Sequence, residues 1–171
     1  MPKLILVNEK DEAIGTEDKL KCHLGQGILH RAFAIYIFNS QDQLLIQKRG
    51  EKKMLWPLLW ENSCSSHPSE GEDLIPAAEK RLKEELGFTC PLKLITKFQY
   101  QALYKHIGAE NEVCSLLVGR YNGKVAPNKE EVAEWKWINL DNLQTGIQTS
   151  PEKYAPWFII GLVKLLRIIN Q

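Results

Sequence analysis

Apolar residues recur along this chain with two different periods. Leu4 to Val7 is a short apolar run, and from Ile28 to Phe38 large apolar residues alternate (Phe33, Ile35, Ile37) before an Asn-rich turn. A period of two predicts a strand in each place, with Leu44 to Lys48 as the hairpin partner of the second. Between Asp73 and Leu86 the period changes. Leu74, Ala78, Leu82 and Leu86 fall four residues apart, with Asp73 placed to cap a helix and Gly87 to end it. Strand-like runs return at Leu92 to Leu103, Val113 to Tyr121 and Ala133 to Ile138, divided by Gly, Pro and Asn turns, and Trp157 to Ile169 closes the chain as an apolar helix. Strands on both sides of one well-bounded helix lack the regular alternation of a doubly wound sheet. The expected class is therefore α+β, a mixed β-sheet sandwich flanked by helices. With no repeat or linker, residues 1–171 are expected to form one domain.

Composition narrows the partners. Lysine and arginine total 22 against 21 acids, so no net positive field predicts a nucleic-acid or membrane-surface partner. Cys22, Cys64, Cys90 and Cys114 are far apart and contain no CxxC pair, which points to a reduced, cytoplasmic setting. The opening apolar run is too short for a signal peptide. The closing helix is about a dozen residues long and carries Lys164 and Arg167, too short and too charged to span a bilayer. Its apolar surface fits a monomer or a homodimer equally. Gly25-Gln26-Gly27 alone does not make a phosphate loop.

Two features look chemical. Glu84 and Glu85 fall in the last turn of the expected helix, where the dipole disfavours acids by about 0.3–1 kcal/mol each. Either Lys80, Arg81 and Lys83 offset them on a solvated face or a cation recruits them. In Glu110-Asn111-Glu112, strand spacing turns both carboxylates to one face, beside the apolar run from Val113 to Val118. Two acids sharing an inward face need a cation or protons to coexist. His23, His30 and His67 could supply imidazoles for Mn²⁺, Mg²⁺ or Zn²⁺, although no compact HExxH spacing ties them together and separated histidines are usually surface or core residues. Polar or glycine-containing loops at Glu70 to Asp73 and Lys105 to Ala109 are expected to be able to close over a ligand.

The order Ser66-x5-Glu72-x7-Lys80-Arg81-Leu82-x-Glu84-Glu85-x-Gly87-Phe88 resembles a degenerate Nudix box, the loop–helix–loop that holds a divalent cation bridged to a diphosphate. Ser66 replaces its leading glycine, and Lys80-Arg81 its usual Arg-Glu pair. Together with His23, His30, Asn62-Ser63-Cys64-Ser65-Ser66-His67-Pro68, Tyr100 and Glu110-Asn111-Glu112, it makes the chain similar to type I isopentenyl-diphosphate isomerases from about Leu4 to Trp157. That resemblance implies one divalent metal on His23, His30, His67, Glu110 and Glu112, and Mg²⁺, bridged to the substrate diphosphate, on Glu85. It implies that Lys19, Arg49, Lys53 and Arg81 grip the diphosphate. Glu112 with Tyr100 would handle a proton at one face of the alkene, and Trp157 would stabilise a carbocation by about 2 kcal/mol. The family's opposite-face acid or base is a cysteine two residues before the metal histidine, and here that position is Ser65. A hydroxyl is a far weaker acid than a thiol of pKa about 8.5, so slow turnover is expected. In an extended segment Cys64 would point away from the site, unless a one-residue bulge re-aimed it. Two further readings remain at this point: a Nudix hydrolase using the Glu84-Glu85 pair, or a silent diphosphate-binding protein.

Overall fold

The computed structural model describes residues 2–171. Strand β1 (Lys3–Val7) pairs antiparallel with β2 (Ala13–Asp18), and a short helix, α1 (Lys19–His23), follows. Next come β3 (His30–Phe38), β4 (Leu44–Arg49), and the short strands β5 (Trp60–Glu61) and β6 (Cys64–Ser66), which lead into α2 (Leu74–Leu86). Strands β7 (Lys93–Tyr104) and β8 (Gly108–Arg120) form a long hairpin. The chain ends with β9 (Val132–Ile138), α3 (Leu140–Thr149), a 3-10 turn at Pro151–Lys153 and α4 (Pro156–Ile169). All nine strands belong to one mixed sheet. The α+β class expected from the pattern is the one observed.

Strict alternation along β3 divides the core into two layers. Ala32, Ala34, Tyr36 and Phe38 pack with Phe158, Leu162 and Leu165 of α4, whereas Phe33, Ile35 and Ile37 pack with Ala78, Leu82 and Leu86 of α2. Both faces of this strand are covered, as a parallel pairing requires. Helix α2 ends as predicted, with Gly87 at a left-handed φ of 78° and its N–H bonded to Lys83 O. Asp73 does occupy the N-cap, but its side chain makes no capping hydrogen bond.

One expectation is corrected. Strands β3 and β4 are not a hairpin ladder, because Phe38 and Leu44 are their one matched pair. Asn39 closes the tight turn by accepting hydrogen bonds from Gln41 N and Gln43 N, each at 3.0 Å. Beyond it the strands separate, β3 to lie parallel to β8 and β4 antiparallel to β9. Ser63 fills the gap: its hydroxyl accepts from Ile37 N at 2.8 Å and donates to Leu45 O at 2.7 Å. Splaying this hairpin lets residues 61–67 thread through the sheet towards the site.

Elements not expected from the pattern are β2, α1, β5 and β6, which are short or largely exposed, and α3, although its Leu140, Leu143 and Ile147 do fall at helical spacing. The Lys105 to Ala109 loop is also revised. Gly108 and Ala109 are buried within β8, leaving Lys105, His106 and Ile107 as the exposed turn. Gly108 is where α1 meets the sheet, since a Cβ there would sit 2.1 Å from His23 O. Gly108→Ala is expected to push α1 off β8 and to destabilise the metal-free protein by about 1–3 kcal/mol, the usual range for overpacking. Urea unfolding measures that loss.

Candidate active site

The site begins with strand register. Parallel pairing of β3 with β8 sets His30 opposite Glu112, and antiparallel pairing of β7 with β8 sets Tyr100 opposite the same residue. Glu110, two residues before Glu112, shares its face. His23 arrives from the end of α1, and His67 follows β6. Glu110 Oε2 lies 3.0 Å from His23 Nε2. Glu112 Oε2 lies 2.8 Å from His67 Nε2 and 3.3 Å from His30 Nε2. The Tyr100 hydroxyl donates to the other oxygen of Glu112, Oε1.

Could these residues hold a metal? His23 Nδ1 lies 2.7 Å from Lys19 O, and His30 Nδ1 lies 2.7 Å from Ile28 O. A carbonyl accepts only, so each Nδ1 carries the hydrogen and each neutral ring presents a lone pair at Nε2. Those two Nε2 atoms and Glu110 Oε2 are buried without a hydrogen-bond partner. Lone pairs facing one another at such distances require a shared cation or added protons. One ligand atom from each of His23, His30, His67, Glu110 and Glu112 can be chosen so that all lie within 4.8 Å of one another. Donors about 2.0–2.2 Å from a single ion are separated from each other by roughly 3–4.4 Å, so a small contraction completes the set. Nitrogen with carboxylate oxygen suits Mn²⁺, Mg²⁺ or Zn²⁺.

Metal-free electrostatics lead to the same conclusion. Burial forces the His67 imidazole down to about 3, against which its bond to Glu112 is too weak. Burial would raise Glu112 as well, but the imidazoles of His30 and His67 beside it hold that carboxyl well below the usual range. Glu110 goes up, through burial and then the charge of Glu112. Burial opposes a proton on His23, yet the adjacent Glu110 carboxylate wins and the pKa of His23 rises. Burial, with Glu112 beside it, raises Tyr100 far above a normal phenol, so it remains a donor.

His23, His67, Tyr100, Glu110 and Glu112 line a cavity of about 320 Å³, within the range for small-molecule sites, while His30 is fully buried. Ser65, Tyr100, Trp157, Lys19, Arg49, Lys53 and Arg81 all reach its wall. Register decides between the two candidates at the serine position. Ser65 pairs with Ala34 and faces the cavity, while Cys64 pairs with Ile35 and packs under α2. Ser65 Oγ exchanges hydrogen bonds with the buried Asn62 amide, at 2.9 and 3.1 Å. Lys53 and Arg81 share Glu131, and Arg81 Nη2 also bonds Glu85 Oε1 at 2.8 Å. Lys19 is exposed at the rim, where desolvation and the charges of Lys53 and Arg81 lower its pKa.

Glu85 does not reach the wall; it is buried behind Arg81 and accepts from Gln47 Nε2 at 2.8 Å. Glu84 is exposed, so the adjacent acids do not form one paired site. Sequence reasoning overlooked Cys114, on the same face as Glu112, which the Glu-x-Glu-x-Cys alternation would have revealed. It also overlooked Gln47, Glu61 and Glu131, which no local pattern marks.

A NUDIX domain model matches residues 28–158, and this is a Nudix-domain protein. Its fold is shared with the crystal structure of a Deinococcus radiodurans protein, at a TM-score of 0.70, 20% identity and coverage of 86% of this chain and 89% of that one. The MutT protein of Methanosarcina mazei also superposes at a TM-score of 0.70, with 16% identity over 84% and 96% of the two chains. Within that class the chain belongs to the isopentenyl-diphosphate Delta-isomerase family. The enzyme so named in Serratia proteamaculans is 42% identical over 156 residues, 91% of this chain and 87% of its own. Its namesake in Halorhodospira halophila is 38% identical over 160 residues, covering 92% and 91%.

Two outcomes are expected. Equilibrium dialysis finds about one divalent ion per chain in the wild type. His30→Ala loses most of that affinity, because a ring that bridges both carboxylates is gone. In metal-free protein His67 stays neutral to about pH 3, while the unfolded imidazole protonates near its ordinary value of about 6.5. The unfolded state then binds the extra proton, so this residue's contribution to stability is present above about 6.5 and is lost as pH falls towards 3. Histidine proton NMR with acid unfolding measures both.

Proposed function

We propose that this chain interconverts isopentenyl and dimethylallyl diphosphate for isoprenoid biosynthesis. The observation that carries the reading is Glu112: one oxygen faces the imidazole cluster, the other is held by Tyr100, and the residue lines a cavity walled also by Trp157 and four cations. The substrate's diphosphate lies against Lys19, Arg49, Lys53 and Arg81, with its alkene directed inwards. By family resemblance Glu85 would hold an Mg²⁺ that offsets the charge of that diphosphate.

The chemistry is proton relocation. One proton joins the terminal methylene, leaving a tertiary carbocation, and another leaves the neighbouring carbon on the diphosphate side, so charge and atoms balance. Glu112, steadied by the Tyr100 hydroxyl, exchanges a proton at one face of the alkene, and Ser65 serves the opposite face. Trp157 offers its ring to the cation, an interaction of about 2 kcal/mol when desolvated. A divalent ion (Mn²⁺, Mg²⁺ or Zn²⁺) held by His23, His30, His67, Glu110 and Glu112 supplies positive charge that keeps the buried acids ionised and tunes Glu112. Ser65 is the weak element, because a hydroxyl yields its proton far less readily than a thiol of pKa about 8.5.

In this reading the chain acts in the cytoplasm as one domain, monomeric or homodimeric, on a small molecule and without nucleic-acid or membrane partners. Among the described residues no helix is long and apolar enough to cross a membrane. A hydrolase built on a Glu84-Glu85 pair loses its support, since Glu84 is exposed and Glu85 is buried, so the two carboxylates do not share a site.

Proton NMR of isopentenyl diphosphate in heavy water with metal and Mg²⁺ tests the proposal. Dimethylallyl diphosphate with incorporated deuterium is expected, faster for Ser65→Cys and slower by about 10²-fold or more for Tyr100→Phe. Release of phosphate without isomer, or silence from wild type and Ser65→Cys alike, would sink it.

A further inference from the structure

Glu61 is a buried carboxylate, 2% exposed, that forms no part of the cavity wall and that the chemistry above does not use. Each of its oxygens holds a residue that does reach the wall. Oε2 accepts from Trp157 Nε1 at 2.9 Å, and Oε1 accepts from Arg49 Nη1 at 3.2 Å. The guanidinium carbon of Arg49 also stands 4.9 Å from the centre of the Trp157 ring. We propose that Glu61 is a positioning residue that binds Arg49 and Trp157 into a single unit. One acid then sets both the cation assigned to the diphosphate and the aromatic face assigned to the hydrocarbon.

Donor accounting supports the Arg49 arm. A guanidinium has five N–H groups in a fixed fork. Nε donates to Trp56 O at 3.0 Å, Nη2 to Leu55 O at 2.9 Å, and Nη1 to Glu61. One hydrogen on each terminal nitrogen is left for diphosphate oxygens, and the fork cannot rotate while all three anchors hold. The Trp157 arm is equally constrained. Bonding the indole N–H to a carboxylate fixes the ring and draws electron density into it, which strengthens attraction of a cation to its face. Trp56 packs edge-on against Trp157, with centroids 5.4 Å apart, and adopts a left-handed φ of 47°, uncommon for a residue other than glycine. The same residue thus offers its carbonyl to Arg49 and its ring to Trp157.

Stability gives little reason for this arrangement. Replacing a buried ion pair by well-packed apolar groups is often neutral or stabilising, so an acid at this position has its use in geometry. The inference rests on the isomerase reading for the roles of Arg49 and Trp157, but its physical content can be tested without turnover.

Glu61→Gln and Glu61→Leu are made alone and with Trp157→Phe, and read in three ways. They are binding of Mg²⁺ with inorganic diphosphate by calorimetry, the indole N–H resonance that Trp157→Phe removes, and KM against kcat. Glu61→Gln keeps an acceptor for the indole but loses the anion for Arg49. It is expected to weaken diphosphate binding and raise KM by about tenfold, with kcat and the indole resonance little changed. Glu61→Leu is expected also to shift that resonance, speed its exchange with solvent and lower kcat by about tenfold, a kcat loss that disappears in the Trp157→Phe background. Wild-type diphosphate affinity in both variants, an unmoved indole resonance in Glu61→Leu, or an undiminished kcat loss alongside Trp157→Phe would overturn the proposal. If Glu61→Leu fails to fold, the affinity and KM of Glu61→Gln decide. A wild-type enzyme that does not isomerise removes the functional reading, while calorimetry and the indole resonance still judge Glu61.

Discussion

Burying Glu110 and Glu112 side by side is the constraint on which the rest of this structure depends. Two carboxylates on one strand face repel each other in a medium where water cannot screen them, and the fold answers by bringing three imidazoles from separate elements onto them. His30 comes by parallel pairing, His23 by the close packing of α1 on Gly108, and His67 by the strand that threads the splayed hairpin. Backbone carbonyls hold the first two rings in the tautomer that aims a lone pair inwards. Such a cluster is unsatisfied without added positive charge, and the orphaned Nε2 and Oε2 atoms record it.

The cavity wall combines cations with aromatic rings. Lys53 and Arg81 are kept extended by shared Glu131, and Arg81 is further tied to Glu85. These bonds restrain long side chains whose rotamer freedom would otherwise have to be lost on binding an anion. Trp157 and Tyr100, which line the same cavity, belong to the core layer under α4. This wall is therefore a continuation of the hydrophobic core, which keeps the acids desolvated and the rings rigid.

Ser65 shows how narrowly backbone register separates two chemistries. Cys64 and Ser65 are neighbours, but the antiparallel pairing of β6 with β3 sends the thiol under α2, where burial drives its pKa far up, and the hydroxyl into the cavity. A slip of one residue would exchange them, and Ser63, locked between Ile37 and Leu45, prevents that slip.

Sequence alone determined the elements with strong periodicity, the α+β class, the shared face of Glu110 and Glu112, and, through resemblance, which histidines and cations to watch. The elements, the class and the shared face needed only local spacing, which a strand or helix converts directly into direction, whereas the histidines and cations came from the resemblance alone. Tertiary structure decided what depends on distant segments meeting. The β3–β4 hairpin opens because each strand finds a longer partner, β8 or β9, than it finds in the other. Gln47, Glu61 and Glu131 matter through residues at least 12 positions away, and an acid gives no local sign of the cation it will meet. Glu84 and Glu85 are identical in the sequence and adjacent on the helix, yet one is solvated and the other buried, because only helix packing chooses which face turns inwards.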